Sequence, residues 1–283
     1  MPDSAVSDVV VSTQWVFEHL KDDSVVVVEV NASLEVDYKT GHIPGAVGWG
    51  LHSDLEHQIR RDVPDLDQIE DLMARSGITN STTVVLYGDG NNRSATWAFW
   101  ILKYYGHEDL KLMDGGRTKW TSEDRPLSTK VTVPTKRMDY TGQSPKDEIR
   151  ATKQHILDHL GDSEVNIVDT RTHEEYIGQL TSAPGTDQSG IYRKGRIPGA
   201  VHIPWDDGVS EDGSFKSVEE LRTMYETQGL QPEQEIVPYC RLGVRASFSW
   251  FILKYLLGYE NVRNYDGSWT EWGNSVGVPV ETD

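Results

Sequence analysis

The sequence predicts two tandem α/β domains of similar fold, each a parallel sheet flanked by helices. Three observations lead there. Short β-branched runs alternate with helix-like patterns along the chain, which implies parallel strands joined by helical crossovers. The landmarks of the first half recur, in order, in the second. A stretch holding Pro126, Pro134 and Pro145, with few periodic apolar residues, separates the two and reads as an extended linker. The division expected is residues 8–125, a linker at 126–148, and residues 149–280.

The first element is a helix capped by Ser12 and bearing Trp15, Val16 and Leu20. Thr152 caps its counterpart, which bears Ile156 and Leu160. Gln14 matches Gln154, His19 matches His159 and Leu20 matches Leu160, all at an offset of 140 (154 − 14). The strand-like residues 25–30 and 165–170 keep that offset. Gly41-His42-Ile43-Pro44-Gly45-Ala46 then matches Gly195-Arg196-Ile197-Pro198-Gly199-Ala200 at an offset of 154 (195 − 41). The second copy has therefore gained 14 residues (154 − 140), at roughly 179–192, in a stretch rich in Ser, Gly, Thr and Pro that reads as a loop. Structural roles are expected for His42 and Arg196.

A third block recurs at an offset of 152: Tyr87 with Tyr239, Arg93 with Arg245, Asp114 with Asp266, Gly115 with Gly267 and Trp120 with Trp272. Within it Ile101-Leu102-Lys103-Tyr104 returns as Ile252-Leu253-Lys254-Tyr255, one step out of register. Residues 83–87 form a buried-strand pattern. Residues 235–239 play that part in the second copy, although Pro238 removes a ladder donor. Trp120, Trp269 and Trp272 read as core or cleft-wall aromatics.

Composition narrows the function classes. The 283 residues are 37% hydrophobic and 25% charged, a globular balance with length for two domains. No run approaches the ~20 apolar residues needed to span a bilayer. Met1-Pro2-Asp3-Ser4 shows no basic segment followed by an apolar one, so a cytoplasmic location is expected. The 45 acidic residues outnumber the 27 basic ones, and a net charge of −18 disfavours nucleic acid. The acidic excess also suits a protein kept soluble at high salt. A monomer is expected. Cys240 is the one cysteine, so an internal disulfide and a cysteine-held zinc or iron–sulfur site are excluded, and no cofactor or metal is expected. His155 and His159 stand four apart but lack the glutamate of a zinc-protease helix, and read as a solvated face. Gly88-Asp89-Gly90 has no following Gly-Lys-Ser/Thr, so it is not a nucleotide phosphate loop.

The informative stretch is Tyr239-Cys240-Arg241-Leu242-Gly243-Val244-Arg245. A strand ends just before Cys240, and a helix begins near Arg245 and runs through Phe248, Phe251, Ile252 and Tyr255 to Leu257, with Gly258 placed to end it. Ligands of open α/β sheets bind at that carboxyl edge. Backbone N–H groups of such a turn form an anion cradle, and the helix N-terminus adds about half a positive charge. Gly243 permits the tight turn. Together with Arg241 and Arg245 this favours a thiolate at Cys240. The reading requires a turn that closes around the sulfur and a sulfur that solvent can reach.

At these residues the sequence resembles the rhodanese, or thiosulfate sulfurtransferase, family over nearly the whole chain. The resemblance rests on Cys-Arg-x-Gly-x-Arg at residues 240–245, Gly-x-Ile-Pro-Gly-Ala in both halves, Val168-Asp169-Thr170-Arg171, and Asp266-Gly267-Ser268-Trp269. It implies tandem rhodanese-like domains with only the second catalytic. It implies that thiosulfate donates its outer sulfur to Cys240, that sulfite leaves, and that the persulfide passes sulfur to cyanide or a thiol acceptor, thioredoxin and dihydrolipoate among the candidates. Arg241 and Arg245 would bind the anionic donor, and the amides of Leu242, Gly243 and Val244 the terminal sulfur. Mercaptopyruvate enzymes usually carry Cys-Gly-Ser/Thr-Gly-x-Thr here, from which Arg241 departs, so thiosulfate is the better donor. Glu175 stands where the familiar thiosulfate enzymes tend to have a basic residue. The first copy has Gly88 in place of Cys240, with Asp89 adding negative charge, and is expected to be non-catalytic. A cysteine phosphatase or arsenate reductase would need Cys-x5-Arg, one residue longer than the loop here. A purely scaffolding module fits the first copy but not the second.

Overall fold

The computed structural model describes residues 8–283, so the leader reading at Met1 to Ser4 lies outside the described residues. Contacts divide the chain into two units: one reaching to Lys146 and taking in Ser210–Phe215, the other made of Asp147–Val209 and Lys216–Asp283.

The first unit runs β1 (Val10–Val11), α1 (Thr13–Glu18), β2 (Val25–Asn31), β3 (Val47–Gly50), α2 (Leu51–Asp54), α3 (Leu66–Arg75), β4 (Thr83–Tyr87), α4 (Arg93–Tyr104), β5 (Leu110–Met113) and α5 (Gly116–Ser122). Its five strands pair in parallel in the order β1-β5-β4-β2-β3. Ser12 caps α1, its Oγ accepting the Trp15 N–H at 3.1 Å. Because side chains alternate along a strand, Val27, Val85 and Tyr87 share one face, which packs with Val16 of α1 and Trp120 of α5. Helix α4, buried along most of its length, packs against β2, β4 and β5. Buried on both faces, these strands read as aliphatic runs rather than alternating ones.

The stretch after α5 has little regular structure and is strapped along this unit. Ser128 exchanges backbone bonds with His42, Met138 donates to the Ala74 carbonyl, and Gln143 donates to that of Tyr105. The His42 ring stacks on Tyr38 at 3.8 Å and bonds the Tyr38 and Lys130 carbonyls.

The second unit runs α6 (Lys153–Asp158), β6 (Val165–Asp169), α7 (His173–Tyr176), β7 (Val201–His202), α8 (Val218–Glu226), β8 (Glu235–Tyr239), α9 (Val244–Phe251) and α10 (Ser268–Trp272). Thr152 caps α6 as expected. The sheet is parallel, in the order β7-β6-β8, and its outer neighbours survive only as isolated bridges, Arg150 with Asn264 and Ile236 with Val262. Pro238 supplies a reason. It stands where the first unit has Leu86 (86 + 152 = 238), and its missing N–H removes a bond from the side on which its carbonyl accepts the Tyr265 N–H. The core gathers Ile167, Val237 and Tyr239 with Trp269 and Trp272.

Helix α9 passes into a π turn at Ile252–Leu256, closed by the Leu257 N–H on the Ile252 carbonyl at 2.9 Å. The turn explains the register slip. Arg93 and Ile101 stand eight apart but Arg245 and Ile252 only seven, while Tyr255 to Gly258 is one residue longer than Tyr104 to Gly106. The wider turn takes up the extra residue, so both helices end on a left-handed glycine, Gly106 and Gly258. No helix among the described residues is long and apolar enough to cross a membrane.

Candidate active site around Cys240

Cys240 is the first residue beyond β8, and the chain turns back at once into α9. Gly243 makes the turn possible: it sits at the helix N-cap with φ +87°, where a side chain is strained. In this conformation its N–H points at the Cys240 Sγ, 3.1 Å away. Of the amides expected to cradle the sulfur, that of Gly243 is brought to it.

A second set of bonds fixes the strand exit. The Cys240 N–H donates to Ser268 Oγ at 3.0 Å, and that hydroxyl donates to the Tyr265 carbonyl. The Trp269 N–H bonds the Cys240 carbonyl, while Thr270 gives both N–H and hydroxyl to the carbonyl of Arg241. Ser268 is buried and held at φ +51°, rare for a residue with a side chain. Sequence reasoning gave Ser268 and Thr170 no role; the available signal for Ser268 was that it replaces Gly116 of the first copy (116 + 152 = 268). Thr170 gives its N–H and hydroxyl to the Tyr239 carbonyl beside the cysteine.

The arginines divide differently from expectation. Arg245 was expected to hold a donor, yet it gives both terminal nitrogens to Glu175, at 2.7 and 2.9 Å. Glu175 is fully buried at the start of α7, where it also closes a capping box by accepting the Thr172 N–H. Burial opposes the charge on Arg245, but Glu175 and Cys240 outweigh it and hold the guanidinium firmly protonated. Arg241 bonds the Ser189 carbonyl at 3.0 Å, so the inserted loop of the second copy reaches the cysteine turn. Gln188 organises that loop, its side chain bonding residues 181, 182, 183 and 186.

Beneath lies a further ion pair. Arg171 and Asp169 are both fully buried and joined through two nitrogens, and the guanidinium stacks over Trp269 at 4.6 Å. Tyr239 donates its hydroxyl to Asp169 at 2.6 Å; burial, with Asp169 beside it, raises its pKa well above the usual tyrosine value.

One expectation is corrected. Cys240 is only 1% exposed, so the solvent access that the nucleophile reading requires is not met in this conformation, and a donor reaches the sulfur only if the turn around it moves. Among the described residues no cluster at His155 and His159 could hold a metal ion, and His155 pairs with Glu235.

The first unit shows what the junction becomes without a nucleophile. Asn92 takes the left-handed N-cap position, accepts the Gly88 N–H at 2.9 Å and donates to the Met113 carbonyl at 2.7 Å. Its amide oxygen accepts from Gly88 the N–H bond that Ser268 Oγ accepts from Cys240 in the second unit.

Comparison with known proteins agrees with this picture. The profile of the rhodanese-like domain matches twice, at residues 12–123 and 152–275. The sulfur carrier protein TtuD of Thermus thermophilus is 49% identical over 96% of both chains. A Mycolicibacterium smegmatis protein, provisionally named a thiosulfate sulfurtransferase, is 46% identical over 98% of this chain and 99% of its own. Among solved structures, a variant of EanB, with ergothioneine covalently linked to a cysteine persulfide, superposes with a TM-score of 0.86 at 26% identity, covering 96% of this chain and 70% of that one. With the profile matched in both halves, and a cysteine cradle in the second alone, the chain belongs to the rhodanese family.

Proposed function

We propose that the second unit is a sulfurtransferase in which Cys240 carries a sulfur atom as a persulfide, taken from thiosulfate and passed to cyanide or a thiol acceptor. The Cys240 thiolate attacks the outer sulfur of thiosulfate. The S–S bond of the donor breaks, its electron pair leaves with sulfite, and a persulfide anion remains on Cys240. Attack by cyanide on the outer persulfide sulfur releases thiocyanate and restores the thiolate. A thiol acceptor would receive the sulfur by the same displacement.

The carrying observation is the Gly243 N–H aimed at the Cys240 sulfur from a turn between a strand end and a helix N-terminus. That geometry supplies a partial positive charge to a thiolate and equally to a persulfide anion. The Arg241 guanidinium is the proposed contact for the donor's oxyanion end, with the amides of Leu242 and Val244 beside the terminal sulfur. The names of the Thermus and Mycolicibacterium relatives and the persulfide in EanB support sulfur transfer as the chemistry. Intact mass measurement after thiosulfate treatment should show a gain of one sulfur atom, reversed by cyanide and absent in Cys240→Ser. A protein that loads sulfur equally well without Cys240 would sink the reading.

A further inference from the structure

The charges buried beside the cysteine turn form two ion pairs, each of which cancels before the sulfur itself is included. Asp169 and Arg171 cancel in one fully buried pair. Glu175 and Arg245 cancel in a second, the carboxylate fully buried and the guanidinium nearly so. Arg245 is near enough to Cys240 and Arg171 to feel both fields, so these groups share one low-dielectric neighbourhood. The guanidinium left over is that of Arg241, partly exposed, held by the Ser189 carbonyl, and within the field of Asp187.

The two candidate classes of sulfur donor differ in charge. Thiosulfate brings two negative charges to a thiolate that already carries one, so three must share the cradle as the S–S bond breaks. An alkyl persulfide anion brings one. The Cys240 thiolate attacks its outer sulfur, the S–S bond breaks, an alkyl thiolate leaves with the electron pair, and the persulfide anion stays on Cys240. That transition state carries two charges. In a water-poor site, one extra uncompensated charge weighs heavily.

We propose that Glu175 is the specificity-determining residue of this site: by occupying both arms of Arg245 it withholds that cation from the donor, and so favours alkyl persulfide donors over oxyanion donors such as thiosulfate. Glu175 acts through Arg245 and does not touch the donor. The proposal rests on Cys240 being the sulfur carrier, as argued above, and ranks thiosulfate as the less efficient of two donors that both load it.

Glu175→Gln removes the charge while keeping a side chain that can close the Thr172 capping box, so α7 retains its cap. The experiment follows the rate of Cys240 persulfide formation by rapid quench and intact mass, over a range of thiosulfate or ethyl persulfide concentrations. In the wild type, loading efficiency should favour ethyl persulfide by at least roughly tenfold. In Glu175→Gln the half-saturating thiosulfate concentration should fall by about tenfold with the limiting rate within about twofold, and the ethyl persulfide values should stay within about twofold. Glu175→Asp, which keeps the charge, should retain the wild-type preference. A wild type that prefers thiosulfate overturns the proposal without recourse to any variant. So does a Glu175→Gln protein whose thiosulfate half-saturation is unchanged or raised, or whose limiting rate drops for both donors, since a merely structural brace predicts that pattern. A wild type that loads from neither donor overturns the Cys240 reading and this proposal together; loading with unaltered preference overturns this proposal alone.

Discussion

At the scale of single residues, the cysteine is both cradled and covered. The Gly243 N–H reaches the sulfur, yet the residue is 1% exposed. Reagent size should therefore govern reactivity. Methyl methanethiosulfonate should outpace a bulky aromatic disulfide at Cys240 by roughly tenfold more than it does with free cysteine, and unfolding in urea should erase the difference. Equal relative rates in the folded protein, followed by stopped-flow absorbance, would show the sulfur to be open after all. The nucleophile was legible in the sequence because a lone cysteine stood at a strand-to-helix junction with a glycine and two arginines. Its burial was not, because the backbone path that covers it depends on Ser268 and Thr270, some thirty residues later in the chain. Glu175 was visible as a departure from pattern, but its partner was not: the 70-residue gap to Arg245 closes only when α7 and α9 come together.

At the scale of elements, the junction between β8 and α9 depends on one backbone conformation. Gly243→Ala should cost about 1–2 kcal/mol of stability, since an alanine at φ +87° suffers the clash a glycine avoids. Sulfur loading should fall by more than the loss of folded protein explains, because relaxation of that strain swings the N–H away from the sulfur. Loading at the wild-type rate in the folded fraction, judged by thermal melts beside intact mass, would count against the cradle. The helix caps at Ser12 and Thr152 were legible because capping is local chemistry, a hydroxyl three residues before an N–H. The π turn was legible only as a slip between two copies of a motif. Its cause, an extra residue before Gly258, becomes visible once the hydrogen bond from Leu257 to Ile252 is seen. Pro238 similarly weakened the strand reading for a sound reason. The strand survives on its β6 side, and the loss falls on the other.

At the scale of the whole molecule, the duplication was the most legible feature, because matched residues at steady offsets need no knowledge of packing. The two units carry the same buried acid-to-tyrosine bond, from Tyr87 to Glu29 and from Tyr239 to Asp169. The cation beside each has a different origin, Arg117 of α5 in the first and Arg171 at the end of β6 in the second, and no alignment of the halves predicts that exchange. Grafting a nucleophile into the first half tests how far they have parted. A Gly88→Cys, Cys240→Ser double variant should take up no sulfur from thiosulfate by intact mass, and a gain of one sulfur would contradict this. The obstacle is spatial before it is electrostatic: a Cβ at residue 88 would lie 2.4 Å from the Val30 carbonyl oxygen. Behind it the Asn92 amide bridges two backbone groups across the gap. With the Val30 carbonyl and that amide both in place, a cysteine at residue 88 would need companion changes at both neighbours before its sulfur could stand free, so one substitution does not turn the first half into a copy of the second.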